Sequence, residues 1–473
     1  MTDNRLEPAA QHQAHLSPWD GMSIIVGIVV GTSIFKSTSL IFGNVSGPLE
    51  LFGVWIAGGV LSFIGALCYA ELATTYPFVG GDYAYLKRAF GGFVAFMFGW
   101  SQLAASLTGS IGTMAFAFAD YGVAFSGGQE SAGDAWLAAL AIAVLTVANV
   151  LGARAGSRLQ NILSVVKIAG LVALVALAVF AGGEHSLSPS QPVQGPGFGL
   201  AMILVLYTYG GWNDAAFVAA EVRHPERNIP RVLLGGIALI LAIYLVVNCA
   251  YLWALGFDGA RQAGAPAAEV AKRIAGPWGG KAISLLVMIS ALGAINGLLV
   301  TGSRVYASMG ADHSLFAFLK RWDPRLNTPV WSLITSGVVA VAMTAVVGTA
   351  AGRGLVDQTL MTLGAVSQPL PWSDYGGGFN TLVTATAPVF WGFFLLTGLS
   401  LIVLRFTDPQ RVRPFRVPLF PLEPLLFCGM CGYMLYAAID YAKYLSLIGL
   451  LPVALGAPLY FLGRRTAAPQ SAS

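Results

Sequence analysis

Two apolar stretches of this sequence are interrupted by glycine and polar residues, and the interruptions have the chemistry to bind a charged small molecule. The first reads GTSIF, residues 31–35, and the second reads YTYGGWND, residues 207–214. Where a helix breaks, its second half begins with N–H groups that have no partner in the helix and attract a carboxylate. The carbonyls freed at the same break can accept hydrogen bonds from an ammonium. Two such breaks therefore predict a site for a zwitterion.

The candidate binding residues follow from the groups that each break sets free. N–H groups near Ser33 are the predicted carboxylate donors, and carbonyls around Val29 and Thr208 are predicted acceptors for an ammonium. The predicted binding residues are Ile28, Val30, Gly31, Thr32, Ser33, Ile34, Tyr207, Thr208, Tyr209, Gly210 and Gly211. Glycine also packs membrane helices together, and packing explains either run alone equally well. The occurrence of both breaks at matching places favours binding.

Three charged residues lie in or beside apolar runs. Lys167 lies about five residues into one, where an unpaired cation costs roughly 2.5 to 3.5 kcal/mol. A functional role is the default interpretation of such a residue, and the alternative is that its side chain extends to the membrane surface. Lys36 follows the first break and Asp214 follows the second. A Lys36–Asp214 pair would compensate both charges, although Lys36 could equally face water.

The composition identifies the class of protein. Of 473 residues, 56% are apolar and 10% are charged, and the mean hydropathy is +0.71, whereas soluble domains have about 25% charged residues. These values indicate an all-α polytopic membrane protein. The polar first 18 residues show no cleavable signal, and we expect the N-terminus to stay on the chain.

Enzyme chemistry is not indicated. The sequence has no clustered His, Cys or carboxylate site and no nucleotide-binding loop, which argues against an enzyme and against a cofactor. The four cysteines lie in or beside apolar segments, where a thiol usually packs as a small hydrophobe. We therefore expect packing rather than metal binding from Cys68, Cys249, Cys428 and Cys431.

Windows of about 20 apolar residues predict twelve transmembrane segments. Segments 1 to 6 are 21–42, 49–74, 93–119, 135–152, 160–182 and 198–219. Segments 7 to 12 are 232–256, 281–303, 329–349, 382–405, 420–440 and 445–462. An even number of segments places both termini on one side.

Lysine and arginine determine which side that is, because cytoplasmic loops retain them. Of the 26 such residues, Lys36 and Lys167 are assigned to the membrane. The side opposite the termini has Arg261, Lys272, Arg273, Lys281, Arg353 and Lys443. The remaining residues lie on the N-terminal side, and both termini are therefore predicted to be cytoplasmic.

The two broken segments, 1 and 6, are each the first of five, which is the pattern of two inverted repeats. The predicted units are a cytoplasmic tail at 1–18, repeats at 19–183 and 197–405, and two further helices with the C-terminal tail at 406–473. The connection at 350–381 is either a short lid or a flexible surface loop.

Charged residues near the cytoplasmic ends have simpler interpretations. We expect Glu71 and Asp82 to belong to a solvated loop network beside segment 2. Pro225 and Pro230 are expected to stop a helix within EVRHPERNIPR, residues 221–231, whose charges either latch the inner mouth or anchor it.

Several stretches resemble those of the amino acid, polyamine and organocation transporter superfamily, and within it the L-amino-acid transporter family. They are GTSIF at 31–35, GALCYAELATTYPFVGGDYAYLKRAFG at 65–91, YTYGGWN at 207–213, EVRHPERNIPR at 221–231, GAINGLLVTGSRVYASMGADH at 293–313 and RPFRVPLFPLEPLL at 413–426. The resemblance covers nearly the whole chain. It implies the leucine-transporter fold, in which two inverted five-helix repeats are followed by two helices, and amino acid transport by alternating access.

The resemblance also assigns roles to residues. It places the substrate carboxylate at residues 31–34, the ammonium at the second break, and an aromatic gate at Tyr207. The family usually has Gly-Ser-Gly-Ile-Phe at the first break, whereas this chain has Ser33 in place of the second glycine. That hydroxyl lies where the carboxylate approaches, which implies a smaller or differently placed substrate.

In sodium-independent members of the family, a lysine of segment 5 occupies the position of a sodium ion, and Lys167 matches it. We therefore expect the Lys167 ammonium to reach carbonyls near Gly27 and an acceptor of segment 8 such as Ser290.

The resulting prediction is a sodium-independent L-amino-acid transporter of the inner or plasma membrane, working by exchange or linked to protons. The partners expected are a small amino acid and the lipid bilayer, without nucleic acid. Eukaryotic relatives join a heavy subunit through a cysteine between segments 3 and 4. The loop SGGQESAGD, residues 126–134, has none, which disfavours a disulfide-linked partner. The alternatives are a polyamine or other organocation carrier, for which Asp214 is the nearby acidic group, and a membrane amino-acid sensor.

Overall fold

A computed structural model describes residues 16–127, 134–181, 192–193, 197–372 and 377–463, without the side chains of Lys36, Asp134 and Ala181. All the regular elements of these residues are helices. The described ranges also contain two isolated β-bridges, Leu16–Val222 and Asp323–Thr328. The all-helical class predicted from composition is confirmed.

The first predicted segment is a broken helix. It consists of α1 (Pro18–Val29), α2 (Ser33–Lys36) and α3 (Thr38–Gly43). The start of α1 is fixed by a reciprocal cap, in which the Asp20 N–H donates to Ser17 Oγ at 3.3 Å and the Ser17 N–H donates to Asp20 Oδ2 at 2.8 Å. Such a cap satisfies donors that a helix end leaves free. The start of α1 is therefore stabilised locally, and the helix ends at Val29, two residues before Gly31 of the first break.

The rest of the first half contains long helices and one irregular turn. In chain order these are α4 (Pro48–Thr75), α5 (Asp82–Phe90), α6 (Gly92–Ser101), a π-helical turn (Gln102–Ser106), α7 (Leu107–Ser126), α8 (Asp134–Val150) and α9 (Ala153–Ala181). The third predicted segment, 93–119, ended too early, since α7 continues to Ser126. The π turn widens the helix at its middle, a feature that is frequent at functional sites.

The second half begins with another broken helix, α10 (Phe198–Tyr209) followed by a 3₁₀ helix (Trp212–Glu221). The remaining helices are α11 (Pro225–Gln262), α12 (Pro266–Ala275), α13 (Pro277–Asp312), α14 (Val330–Gly348), α15 (Ala350–Thr362), α16 (Gly378–Thr407), α17 (Leu422–Ala442), α18 (Ser446–Ala454) and α19 (Gly456–Leu462). Gly256, with a φ of 69°, interrupts α11 where the seventh predicted segment ends.

Two connections differ from the sequence prediction. Pro225 and Pro230 do not stop a helix, because Pro225 is the first residue of α11 and Pro230 lies inside it. A proline at the first position is tolerated because its missing N–H would have no partner there. The connection after α14 forms helix α15, whose Asp357 accepts hydrogen bonds from the Leu370 N–H at 3.0 Å and the Trp372 indole at 2.9 Å. This part of the connection is a packed helix rather than a flexible loop.

Seven helices of the described ranges are long and apolar enough to cross a membrane. They are Pro48–Thr75, Ala153–Phe180, Pro225–Gln262, Pro277–Asp312, Val330–Gly348, Gly378–Thr407 and Leu422–Leu462. Large apolar side chains are exposed along the outer helices, among them Val144 and Val147 on α8 and Val172 and Val179 on α9. Lipid is the solvent that such surfaces require. The chain is a multi-pass membrane protein, while the count of twelve segments stays a prediction.

The ends of the broken helices are held by buried polar contacts. At one end, Arg261 of α11 donates to the carbonyls of Phe42 and Val45 at 3.3 Å each, and the Gly197 N–H donates to Asn44 Oδ1 at 3.1 Å. These contacts tie the end of α3 to α11 and to the start of α10.

At the other end, Glu221 forms a buried pair with Arg304 of α13, with oxygen–nitrogen distances of 2.7 and 3.1 Å. The backbone of Leu16 pairs with that of the same region, since the Leu16 N–H donates to the Glu221 carbonyl at 2.9 Å. The segment before α1 and the end of the 3₁₀ helix are therefore locked to α13.

Candidate substrate site between two broken helices

A cavity of about 130 Å³ lies where the two helix breaks meet. Its walls come from the breaks themselves and from α7, α13 and α16. The residues that line it are Ile28, Val29, Gly31, Ser33, Gln102, Ser106, Leu107, Ser110, Thr113, Met114, Tyr207, Thr208, Gly210, Gly211, Asn213, Asp214, Phe217, Ala294, Leu298, Val383, Thr386, Ala387, Phe390 and Trp391. The mixture of hydroxyls, backbone groups and aromatic rings is that of a small-molecule site.

Most of the predicted binding residues border this cavity. Seven line it, namely Ile28, Gly31, Ser33, Tyr207, Thr208, Gly210 and Gly211. Val30, Thr32, Ile34 and Tyr209 are buried behind its wall. The Tyr209 hydroxyl donates to the Trp55 carbonyl of α4 at 3.1 Å, which directs this ring away from the cavity. The substrate roles of all these residues stay predictions.

The backbone at the second break requires glycine. Gly211 has a φ of 101°, which side-chain-bearing residues rarely adopt. A Cβ at this position would also lie 2.7 Å from Ile28 Cγ2 of the first broken helix. Gly211 therefore lets the chain turn and lets the two breaks approach each other.

One tyrosine joins the two breaks. The Tyr244 hydroxyl of α11 lies 2.9 Å from the Val29 carbonyl and 3.0 Å from the Thr208 carbonyl. Both carbonyls were predicted to be open to an ammonium, and the structure already gives each a protein donor. A phenol has one proton, which cannot make a full hydrogen bond to both oxygens at once. One carbonyl of the pair therefore keeps capacity for another donor.

Lys167 of α9 is fully buried, and its side chain lies between α1 and α13. Its ammonium donates to the Gly27 carbonyl at 2.8 Å, a contact that the family resemblance implies. A Cβ placed on Gly293 of α13 would lie 3.6 Å from Lys167 Nζ. Ser290 instead donates to the Val30 carbonyl at 3.0 Å, and no hydrogen bond joins Ser290 to Lys167 within the described ranges. Lys167 thus binds a carbonyl of α1, and Ser290 binds a carbonyl of the break that follows α1.

A row of buried polar side chains continues from Lys167 along α9. Ser164 Oγ and Gln160 Nε2 lie 2.9 and 3.3 Å from the Ser23 carbonyl of α1. Gln160 Oε1 accepts from Asn296 Nδ2 at 2.7 Å, and Asn296 Oδ1 accepts from Asn149 Nδ2 at 2.7 Å. These polar residues join four helices, α1, α8, α9 and α13.

The sequence prediction missed the contribution of the third segment. Gln102, Ser106, Ser110 and Thr113 line the cavity from the π turn and α7. Their spacing of three or four residues places polar groups on one face of an otherwise apolar helix, a signal that was present in SQLAASLTGSIGT. Phe390 and Trp391 of α16 gave no comparable signal, because aromatic residues are common throughout that helix.

Asp214 also lines the cavity, on the 3₁₀ helix after the second break. Its Oδ1 accepts from Asn213 Nδ2 at 3.2 Å. The predicted partner is Lys36, whose side chain lies outside the described part of the chain, and the Lys36–Asp214 pair stays a prediction.

Glu71 and Asp82 are not the solvated loop residues that the sequence suggested. Both are buried, with exposures of 1% and 2%. Glu71 binds Arg405 and the Val417 N–H, linking α4 to α16 and to the segment before α17. Asp82 Oδ2 accepts from the Tyr69 hydroxyl at 2.7 Å and from Thr397 at 3.3 Å. Burial raises the pKa of Asp82 to about 7.

Most of the chain matches one known protein family. Residues 16–456 match a family described as amino acid permease. The chain belongs to the amino acid permease family. The match covers both helix breaks, the cavity, Lys167 and the Glu221–Arg304 pair.

The relatives of this permease are themselves amino acid transporters by name. It is 30% identical over 412 residues to the b(0,+)-type amino acid transporter 1 of Mus musculus, covering 85% of this chain and 78% of the relative. The Homo sapiens protein of that name is 30% identical over 439 residues, covering 90% and 83%. The large neutral amino acids transporter small subunit 2 of Rattus norvegicus is 29% identical over 457 residues, covering 93% and 79%. The predicted kinship with L-amino-acid transporters is confirmed, and the permease is a transporter rather than an enzyme.

Proposed function

We propose that this permease carries L-amino acids across the membrane by alternating access, without sodium, in exchange or coupled to protons. The observation that carries the proposal is that two helix breaks meet at one cavity. N–H groups at the start of α2 attract a carboxylate, and a carbonyl left by Tyr244 accepts from an ammonium. A free amino acid has a carboxylate and an ammonium on one carbon. It can therefore bind both breaks at the place where they meet.

The binding residues proposed are those at the two breaks. The substrate carboxylate lies against residues 31–34, with the Ser33 hydroxyl beside it. Tyr207 closes over the bound amino acid as an aromatic gate, for which its position on the cavity wall is the support. Ser110 and Thr113 of α7 line the same cavity, and their hydroxyls are available to the substrate side chain.

Lys167 takes the place of a sodium ion in this proposal. A cation bound to the Gly27 carbonyl supports the last turn of α1 next to the break, and the Lys167 ammonium takes the place of that cation. Because the cation belongs to the protein, transport needs no external sodium.

We further propose the leucine-transporter arrangement of twelve transmembrane helices in the inner or plasma membrane, with both termini in the cytoplasm. Units at 19–183 and 197–405 are the two repeats, preceded by the tail at 1–18 and followed by 406–473. The breaks at the first helix of each unit support the repeats, and the distribution of lysine and arginine supports the orientation.

One relative is named as a small subunit, which raises the question of a larger partner. The sequence between α7 and α8 contains no cysteine, and residues 128–133 of this loop lie outside the described ranges. We propose that this permease works without a disulfide-linked heavy subunit. Transport by the purified chain alone would support this, and a requirement for an added partner would exclude it.

Counterflow into proteoliposomes tests the function. Vesicles loaded with one unlabelled amino acid at a time should accumulate the same labelled amino acid, equally well in sodium and in choline. Accumulation that requires sodium would contradict the role of Lys167. The acidic Asp214 in the cavity favours a polyamine as the second candidate, and accumulation of labelled putrescine without that of any amino acid would select it.

A further inference from the structure

A second cavity, separate from the candidate substrate site, is an apolar groove of about 240 Å³ between α9 and α11. Its walls are Ile168, Leu171, Val172 and Val175 of α9 and four alanine, isoleucine and valine residues of α11 within 242–247. The groove opens outward, since the Val172 side chain is 64% exposed. Both helices are long and apolar enough to cross a membrane. A groove lined only by aliphatic side chains on such helices faces the hydrocarbon of the bilayer.

Contacts with the start of α1 show that α9 and α11 begin on the same side of the protein. Asp20 Oδ1 of α1 accepts from Asn161 Nδ2 of α9 at 2.7 Å. A Cβ on the neighbouring Gly21 would lie 2.9 Å from Val232 Cγ1 of α11. The first turns of α9 and of α11 are therefore at the level of the start of α1.

Contacts with the end of α1 give the level of the groove. Lys167 of α9 donates to the Gly27 carbonyl, and Tyr244 of α11 donates to the Val29 carbonyl. Later residues of α1 thus meet later residues of both helices, which means that α1, α9 and α11 run parallel. Because residues 168–175 and 242–247 lie beside or beyond Lys167 and Tyr244, the groove is at the level where α1 ends.

Four exposed arginines lie near the starts of the two helices. Arg154 and Arg158 are four residues apart on α9, and Arg227 and Arg231 are four residues apart on α11. Residues four apart share one face of a helix. Since both helices begin on the same side, the four positive charges lie at the same end of the groove-forming pair.

The arginines share a helix face with the groove and lie one leaflet away from it. Steps of three and four residues lead from Arg158 to Ile168 on α9 and from Arg231 to Ala242 on α11. At 1.5 Å per residue these steps span about 15 and about 16 Å. Half of the hydrocarbon core of a bilayer is also about 15 Å. With the arginines at the level of the lipid headgroups, the groove is therefore near the middle of the membrane.

We propose that α9 and α11 form a binding site for one anionic phospholipid, with its phosphate at Arg158 and Arg231 and one acyl chain in the groove. Charge complementarity identifies the ligand, because basic residues between membrane helices attract anionic headgroups. The chain contributes packing, since bulk lipid is as apolar as the walls of the groove. This inference does not depend on the amino acid transport proposed above.

The site adjoins the residues that hold the end of α1. Ile168 directly follows Lys167, and Ile243 directly precedes Tyr244. An acyl chain in the groove packs against α9 and α11 at once and opposes their separation. A ligand that binds only the folded state also stabilises it, and the bound phospholipid should therefore raise the Tm.

Photolabelling of the purified full chain in detergent tests the location. The probe is phosphatidylglycerol that has a diazirine near the end of one acyl chain, and mass spectrometry of peptides locates the attached lipid. Labelling should concentrate on residues 168–175 and 242–247. Unlabelled phosphatidylglycerol should suppress it at concentrations at least about fivefold lower than phosphatidylcholine with the same chains.

One pair of variants tests the groove. Val172→Trp fills the groove and should abolish labelling of its walls. Val179→Trp is the matched control, because Val179 is exposed on the same helix but does not line the groove. This control should be labelled like the wild type.

A second pair of variants tests the arginines. Arg158→Gln combined with Arg231→Gln should remove the preference for phosphatidylglycerol over phosphatidylcholine and the rise of the Tm with phosphatidylglycerol. Lys320→Gln combined with Arg321→Gln removes two exposed charges elsewhere and should keep both effects. Thermal unfolding without added lipid shows that each variant is folded.

Three results would overturn the inference. Labelling spread evenly over the exposed apolar side chains of other helices such as α8 would show only general contact with lipid. Equal suppression by the two phospholipids in the wild type would exclude a site for an anionic headgroup. Suppression by cholesterol and by neither phospholipid would assign the groove to a sterol. All these measurements are independent of transport, and a failure of counterflow would affect the proposed function alone.

Discussion

The Lys167 ammonium donates a hydrogen bond of 2.8 Å to the carbonyl of Gly27, in the last turn of α1. Both partners are buried, and a Cβ on Gly27 would displace the Gln160 amide, whose Nε2 lies 1.7 Å from that position. The contact therefore depends on the amino acid type at both positions.

Replacement of Lys167 by alanine should lower counterflow at least about tenfold. The change leaves the Gly27 carbonyl buried without its donor, at a cost of about 1 to 3 kcal/mol at the point where α1 breaks. Counterflow of a labelled amino acid measures the effect. Lys320→Ala, at an exposed lysine, is the matched control and should have no effect. Full transport by Lys167→Ala would refute the coupling role.

Removal of the Tyr244 hydroxyl should destabilise the protein and slow transport. Tyr244→Phe leaves the Val29 and Thr208 carbonyls without their shared donor, at a cost of about 1 to 3 kcal/mol. Tyr251, two turns further along α11, is a close control, because its buried hydroxyl has no hydrogen-bond partner among the described residues.

Thermal unfolding in detergent compares the two tyrosine variants. Tyr244→Phe should have a lower Tm than the wild type, whereas Tyr251→Phe should have an equal or higher one. Equal losses in both variants would show that the hydroxyl bridge contributes nothing specific.

Substitution of Gly211 by alanine should reduce counterflow about tenfold, since a side chain at positive φ costs roughly 1 to 2 kcal/mol and meets Ile28 across the site. Gly53→Ala is the control, because a Cβ at that position has no atom within 4 Å. If Gly211→Ala transported as well as Gly53→Ala, the close approach of the two breaks would not matter for function.

The stability contributed by Asp82 should depend on pH. Burial raises its pKa from 3.8 to about 7 in the folded protein. The folded state therefore binds more protons than the unfolded state between these values, and stability falls as the pH rises through this range. The Tm of the wild type minus that of Asp82→Asn should decrease from about pH 4 to about pH 7 and then level off. A difference that grows with pH would contradict the burial of this carboxyl in a protonated form.

The features of the candidate site that could be predicted from the sequence are those that depart from a continuous, apolar membrane helix. A glycine pair inside an apolar run and a lysine inside a membrane segment are anomalies that a single sequence displays. The glycines line the cavity and the lysine contacts α1, while their roles stay predictions. The bridging role of Tyr244 was not predictable in this way, because nothing in the sequence shows that its hydroxyl meets carbonyls 215 and 36 residues away.

The burial of Glu71 and Asp82 was unpredictable for a related reason. Their partners Arg405, Val417 and Thr397 are more than 300 residues distant in the chain. Contacts of this range are decided by tertiary packing, which residue spacing alone does not encode.

The contacts of Arg261 and Asn44 have a mechanical consequence. Arg261 fastens the end of α3 to α11, and Asn44 fastens it to the first residue before α10. A force on any one of these three helices is transmitted to the other two at a single junction. We therefore expect α3 and α10, which belong to different broken helices, to move together as one rigid unit beside the cavity. Independent movement of the two helices is not expected.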